Sequence, residues 1–256
     1  MLLSEALSAS NKVEGWLSLN EQRLLYTLAK EVPRGKAIVE LGAWKGKATI
    51  MLAAGSMAGS KVPVYAVDYF TPTSSVGHDY ALYLQDGAKD YLSTFLENIH
   101  NAGLSSIVTP IRNSTMKAAQ LWTGPPPHFL FIDADHRYHA VQSDFLAWIG
   151  HCSLDAQVAF HDFNAPDYPG VGIFVNRLLV TRIISHAGIV DSIGHGELAI
   201  TDVARVKRRL ELCPYFVAWF LSIIQRISRI ALCTPVKILD VKNWERMISK
   251  CLRQGP

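Results

Sequence analysis

Apolar residues fall in short dense runs separated by amphipathic stretches. Residues 37–41 (AIVEL), 62–70 (VPVYAVDYF), 106–114 (SIVTPIRNS), 129–132 (FLFI) and 156–163 (AQVAFHDF) are of strand length. They are nearly continuous in their apolar character, the pattern of strands covered on both faces. Between them, residues 14–31, 47–54, 91–102, 115–122, 141–149 and 170–181 predict helices. Leu92, Phe95, Leu96 and Ile99 show the helical spacing plainly. Residues 187–203, AGIVDSIGHGELAITDV, predict two more strands with the turn at Gly194, His195 and Gly196.

Strands alternating with helices predict an α/β fold, a parallel sheet wrapped on both sides. The expected architecture is a Rossmann-like, doubly wound, seven-stranded, mostly parallel sheet. An antiparallel hairpin closes it, and a helical C-terminal extension follows. The 256 residues divide into a domain over 1–203 and a basic amphipathic extension over 204–256. Apolar residues make up 49 % and charged residues 18 % of the chain, as in a globular protein. No apolar run reaches membrane-spanning length. The N-terminus lacks the basic flank and apolar core of a secretory signal. Cys152, Cys213, Cys233 and Cys251 form no C-x-x-C pair, and they read as reduced thiols of a cytoplasmic protein.

The stretch AIVELGAWKGKATIMLAA, residues 37–54, organises the rest. An apolar strand runs into Glu40 and Gly42, Gly46 follows, and a helix starts near Lys47. Two glycines permit a sharp turn and close approach of a ligand, and the helix start offers free N–H groups. A dinucleotide loop would be spaced G-x-G-x-x-G. Here the spacing is G-x-x-x-G, Trp44 stands between the glycines, and a carboxylate precedes them. A pyrophosphate would be repelled by Glu40, whereas the sulfonium and ammonium of S-adenosylmethionine (SAM) suit it. Asp68 ends the second strand, placed to accept from a ribose diol. Asn113 and Ser114 end the third, placed for an adenine edge or to cap the next helix. The fourth strand exits into Asp133, Asp135 and His136, and the fifth into His161 and Asp162. In an open parallel sheet these strand ends form one edge, where ligands bind. Residues 71–90, with His78, Asp79 and Tyr80, form a polar insert suited to a substrate lid or an ordinary loop.

The ordered set E-L-G-x-x-x-G-x-A-T, an acid ending the second strand, F-I-D-A-D-H-x-Y-x-x-V-x-x-D and F-H-D-F resembles the class I SAM-dependent methyltransferases, in particular methyltransferase family 24. Macrolide sugar and caffeoyl-CoA O-methyltransferases are similar at greater distance. The resemblance spans about residues 35–202. It implies that Glu40, Gly42 and Gly46 hold the methionine part of SAM, that Asp68 holds the ribose, and that Asn113 or Ser114 lies near the adenine. Asp133 would face the cofactor and, with Asp162, bind a divalent cation. His136 would be the general base. Two departures stand out. Phe163 follows Asp162 where the caffeoyl-CoA type has a ligating Asn, and His161 stands where the sugar enzymes have a second acid. Two carboxylates make a thin site for Mg²⁺, and His161 as a third ligand shifts preference toward Mn²⁺. The implied reaction is methyl transfer to a hydroxyl of a small-molecule, sugar or lipid-linked acceptor.

Charge adds one more feature. Residues 203–256 hold 11 Lys and Arg against 3 Asp and Glu, a net +8, whereas residues 1–202 hold 14 against 19, a net −5. Residues 205–232 place Val217, Phe220, Leu221, Ile224 and Ile227 on one face, with basic residues beside it. This face suits packing on the domain, a homo-oligomer, or peripheral contact with a membrane. No aromatic–basic pattern of a nucleic-acid module appears in the body. Two other functions compete with methyl transfer: a nicotinamide-dependent oxidoreductase on a similar sheet, and a non-catalytic SAM-binding protein with a membrane-associating tail. The first is disfavoured by the glycine spacing and Glu40, the second by Asp133, His136 and Asp162 occurring together.

Overall fold

The computed structural model describes residues 1–71 and 90–211. Most of the insert 71–90, with His78, Asp79 and Tyr80, and the chain from residue 212 onward lie outside the described residues. In chain order the elements are α1 (Leu3–Ser10), α2 (Leu19–Lys30), β1 (Ala37–Leu41), α3 (Lys47–Ala58), β2 (Val64–Asp68), α4 (Leu92–Asn101), β3 (Val108–Arg112) and α5 (Thr115–Gln120). Then come β4 (Pro127–Ile132), α6 (Tyr138–Trp148), β5 (Gln157–Phe160), α7 (Pro169–Val180), β6 (Ile184–Val190), β7 (Ile193–Leu198) and α8 (Val203–Glu211). The strands form one seven-stranded sheet of order β3-β2-β1-β4-β5-β7-β6. The first five pair in parallel, and β7 joins β5 and β6 antiparallel. The expected fold class is therefore the observed one.

Both faces of the sheet are covered, and the strands divide their side chains between them. Ile38, Val64, Ala66, Phe129 and Phe131 face a core built with α1 to α4. Val39, Leu41, Val67, Leu130, Val158 and Phe160 face a second core built with α5 to α8. Successive strand residues point to opposite faces, so near-continuous apolar runs serve both cores. Helix α3 is apolar all round because it is buried from Ala48 to Ser56, between the sheet and α2. A Cβ on Gly55 would sit 2.3 Å from the Tyr26 carbonyl oxygen, and one on Gly59 would sit 2.1 Å from that of Lys30. These two glycines let α2 and α3 touch backbone to backbone.

The hairpin differs from expectation. Its turn lies at Asp191 and Ser192, not at Gly194–Gly196, which belong to β7. Asp191 takes the left-handed φ of 49° that a two-residue turn demands. Gly194 and Gly196 pair with Phe160 and Val158 of β5. A side chain there would press on Phe163 and on the Ser185 carbonyl, so these glycines mark close packing rather than a reversal. Helix α1 was not foreseen. Helix α8 opens the basic C-terminal segment with Val206 and Leu210 buried in the second core. Arg209 donates to the carbonyls of Thr181 and Arg182. Among the described residues, no helix is long and apolar enough to cross a membrane.

The α2–α3 contact generates a stability prediction. Gly55→Ala gains about 1 kcal/mol of helix propensity but forces apart two backbones, an overpacking cost of about 1–3 kcal/mol. Thermal unfolding should show a net loss of stability. A raised melting temperature would mean that the helices are not in this contact.

Candidate active site

Each strand end is held one residue beyond the strand by a backbone hydrogen bond to its neighbour. Gly42 N–H donates to Val67 (2.9 Å), Asp133 N–H to Leu41 (2.8 Å) and His161 N–H to Ile132 (3.1 Å). The chemistry-bearing residues thus sit on the rigid sheet edge, not on free loops. A cavity of about 630 Å³ opens along this edge, in the size range of small-molecule sites. Glu40, Gly42 and Asp68 reach it from β1 and β2, and Asn113 and Ser114 from the end of β3. Asp133, His136, His161 and Asp162 reach it from β4 and β5.

Gly46 does not line the cavity. Both turn glycines have the left-handed φ that a tight turn requires, 89° at Gly42 and 92° at Gly46. A Cβ on Gly42 would meet the Asp133 carbonyl oxygen at 2.2 Å, and one on Gly46 would meet the Phe95 ring at 3.1 Å. The space these glycines spare is filled by protein, so they shape the cradle from behind.

Glu40 is fully buried in the middle of the sheet, paired in register with Ala66 and Phe131. Its Oε2 accepts from Thr49 Oγ1 at 2.5 Å, and its Oε1 has no hydrogen-bond partner among the described residues. Burial, with smaller repulsion from Asp133 and Asp68, pushes its carboxyl up to about 8. A buried oxygen that lacks a donor at a cavity wall is a costly feature, and a ligand donor would relieve it.

Asp68 is already engaged. Its Oδ2 accepts from the N–H groups of Ala43 (2.9 Å) and Trp44 (2.8 Å), and its Oδ1 from Phe70 N–H (2.7 Å). These bonds hold the glycine turn, where Trp44 has a φ of 43°. A carboxylate has about four acceptor sites, so Asp68 has room for about one further hydrogen bond rather than a diol pair. Ser114 caps α5 by accepting from Lys117 N–H, and Asn113 Oδ1 accepts from Ser114 N–H. The capping alternative for Ser114 is thus the observed one, on the cavity wall.

Asp133, His136, His161 and Asp162 converge, with one ligand atom from each lying within 4.8 Å of all the others. His136 Nε2 lies 3.0 Å from Asp162 Oδ2 and 3.4 Å from Asp133 Oδ1. His161 Nδ1 lies 3.2 Å from Asp162 Oδ2 and 3.3 Å from Asp133 Oδ1. Asp162 adopts a left-handed φ of 56°, which is strained for a residue with a side chain. The next residue, Phe163, is buried against β7, so it offers the site nothing.

Electrostatics follows from this pairing. Burial alone would lower His136, but Asp133 and Asp162 outweigh it and push its pKa up to about 9. Burial also opposes the charge on His161, and Asp133, Asp162 and Glu21 overcome it, so that its pKa is raised strongly. Burial would raise the two carboxyls, and the imidazoles hold both below the ordinary range. The resting cluster is two carboxylates neutralised by two imidazolium ions. With an imidazole proton displaced, the two carboxylates and a histidine nitrogen could also act as ligands for a divalent ion such as Mn²⁺.

Some cavity residues escaped the sequence reading. Tyr168 stacks on His136 with ring centroids 4.5 Å apart. Trp16 stacks on Trp44 at 5.1 Å and brings the N-terminal segment to the cavity. Asp144 is buried on α6 at the cavity wall, accepts from Thr115 Oγ1, and is raised to about 6 by burial. It is the last acid of the pattern F-I-D-A-D-H-x-Y-x-x-V-x-x-D, a signal visible in the sequence without a role. Glu21, on α2, ion-pairs with His161 Nε2 at 3.8 Å. Its pattern Ser18-x-x-Glu21 is a legible capping box, but nothing local shows its reach to His161.

Comparison with known proteins agrees with this geometry. Residues 39–163 match the family model described as a methyltransferase domain. The fold is similar to the O-methyltransferase NovP, with a TM-score of 0.58 and 16 % identity over 72 % of this chain and 81 % of that one. It is similar to an O-methyltransferase from Bacillus cereus in complex with S-adenosylhomocysteine (SAH), with a TM-score of 0.52 and 18 % identity over 76 % and 90 %. It is also similar to the mycinamycin-pathway methyltransferase MycE in complex with Mg, SAH and mycinamycin VI, with a TM-score of 0.51 and 14 % identity over 78 % and 55 %. The matched segment contains the glycine turn and the whole strand-end cluster, so the residues of the cavity edge fall within the part of the chain that is similar to a methyltransferase domain.

Proposed function

We propose that the chain is a SAM-dependent O-methyltransferase acting on a small hydroxylated or sugar-containing acceptor. One observation carries the reading: Glu40 Oε1, without a hydrogen-bond partner among the described residues, and the Asp133–His136–His161–Asp162 cluster share a single cavity. The first asks for a cationic donor, and the second is equipped to handle a proton. SAM supplies an electrophilic methyl group on a sulfonium and carries an ammonium group. Glu40 would take the ammonium, Asp68 one ribose hydroxyl, and Asn113 with Ser114 would border the adenine. A pyrophosphate would instead press against the Glu40 carboxyl, which argues against a nicotinamide cofactor.

His136 would receive the acceptor's hydroxyl proton at Nε2. In the resting cluster that nitrogen already holds a proton between Asp133 and Asp162, because the pKa stands at about 9. His136 must therefore release it first. Tyr168, stacked on the ring, holds its plane, and Asp133 and Asp162 hold Nε2. A divalent cation held by Asp133, Asp162 and His161 would acidify the acceptor hydroxyl; MycE, of similar fold, forms a complex with Mg. The sheet edge does the remaining work, alignment of two reactants. For α8, the described start of the C-terminal segment, we propose a role in packing on the domain rather than on a membrane, supported by the burial of Val206 and Leu210. Liposome co-sedimentation should be the same with and without residues 212–256, and loss of pelleting on truncation would reverse that assignment.

Two predictions follow for the site. Glu40 has a folded pKa of about 8 against an ordinary 4.5, so at pH 7 it is protonated. Pairing with an ammonium must expel that proton. Calorimetric titration with SAH in buffers of different ionisation heat should show release of up to about one proton, and Glu40→Gln should abolish it. By the same linkage, the unfolded chain ionises first, so this group makes stability fall as pH rises from about 4.5 to about 8. Equal proton release in both proteins would remove Glu40 from the ammonium site.

His136→Ala should lower methyl transfer from labelled SAM to a hydroxylated acceptor panel by about 10²–10⁴-fold while leaving SAH affinity unchanged. In cation-free wild-type protein the rate should climb with pH toward about 9, as His136 loses its proton. Added Mn²⁺ should move the climb to lower pH. A cation-free rate already level at pH 7 would contradict the base role.

A further inference from the structure

Glu21 lies outside the segment that matches the methyltransferase family model and is 3 % exposed. It is the third residue of α2, and its Oε2 accepts from Ser18 N–H at 2.8 Å. That single contact completes the capping box. The side chain does more. Its Oε1 accepts from Ser192 N–H at 2.7 Å and from Ser192 Oγ at 2.5 Å, in the turn between β6 and β7. Its Oε2 lies 3.8 Å from His161 Nε2, and Ser192 Oγ lies 3.3 Å from the same nitrogen. The turn itself is fixed on three sides. Ser18 Oγ donates to the Asp191 carboxylate (2.5 Å), Asn164 Nδ2 donates to the Asp191 carbonyl (2.6 Å), and Phe163 N–H donates to the Ser192 carbonyl (2.8 Å).

We propose that Glu21 is a positioning residue for the strand-end cluster and acts through His161. The two nitrogens of a histidine are distinct, and the partner of one fixes what the other presents. Glu21 and Ser192 occupy Nε2 on the side away from the acids. Nδ1 is thereby left facing Asp162 at 3.2 Å and Asp133 at 3.3 Å. Asp133 and Asp162 draw one nitrogen toward the site, and Glu21 with Ser192 holds the other nitrogen on the opposite side; without the charge of Glu21 the ring loses the second of these two anchors, and a flipped ring would present a carbon to the two carboxylates. The N-terminal helix and the C-terminal hairpin together aim one side chain into the site. If the cluster takes a divalent cation, a part of the claim that rests on the reading above, Glu21 also sets its affinity. Carboxylates behind a ligating histidine do this generally.

Two variants of the full chain separate this from plain capping. Glu21→Gln removes the charge facing His161. Ser18→Ala removes the helix cap and the Asp191 contact, and leaves the contacts of Glu21 with Ser192 and His161. The first readout is nitrogen-15 NMR of the histidine rings, with His161 assigned by its loss in His161→Ala. The wild-type His161 Nε2–H should exchange slowly with solvent. In Glu21→Gln its signal should shift and exchange fast, and in Ser18→Ala it should stay. The second readout is titration with Mn²⁺. Affinity should fall about 10–100-fold in Glu21→Gln and hold in Ser18→Ala, with SAH affinity unchanged in both. Unaltered His161 signals in Glu21→Gln would overturn the proposal, as would equal changes in Ser18→Ala. If wild-type protein binds no Mn²⁺ while the ring signals respond as stated, the cation reading fails and the positioning role stands.

Discussion

Asp133 and Asp162 stand side by side at the ends of adjacent strands, and like charges that close repel unless something positive lies between them. His136 and His161 supply it, each within 3.4 Å of both acids. This fourfold contact determines what the domain can do. It keeps both acids ionised in a half-buried place and holds His136 protonated at rest. It also links β4, the loop after it and β5 into one rigid unit. Chemistry at this edge has to begin by disturbing that balance, through proton loss from His136 or through a cation that takes over the acids.

Much of this was legible along the chain. The strand runs and the helices between them gave the sheet, because parallel strands covered on both faces read as continuous apolar stretches. The acids at Asp68, Asp133 and Asp162 were legible because strand ends share one edge whatever the loops do. What escaped depends on contacts distant in sequence. Glu21 looks like an ordinary capping residue until the β6–β7 turn, 171 positions later, arrives beside it. The hairpin turn was misplaced because Gly194 and Gly196 resemble a reversal, while their real purpose is to let β7 lie close to Phe163 and β6. Phe95 packs against the outer side of Gly46, and helix packing of that kind leaves no local trace. The backbone N–H groups that the glycine turn presents to Asp68 are a further set of contacts that no local pattern shows.

Glu40 and the cluster solve opposite problems within one cavity. Glu40 avoids the cost of a buried charge by keeping its proton, with Thr49 as its only hydrogen-bond partner among the described residues. The cluster keeps its charges and neutralises them in pairs. The first arrangement is incomplete without a ligand and the second is complete without one. In the proposed reading that difference separates a binding end from a reacting end, which methyl transfer between two bound molecules would require. The N-terminal elements serve both ends, with Trp16 stacked against the cradle and Glu21 behind His161.

The most direct measurement is diffraction from crystals of the protein soaked with SAH and Mn²⁺, with anomalous data collected at the manganese edge. The amino end of SAH should lie against Glu40 Oε1, and the anomalous peak should lie among Asp133, Asp162 and His161 Nδ1. SAH bound in the reverse direction, or no SAH in the cavity at all, would contradict the account.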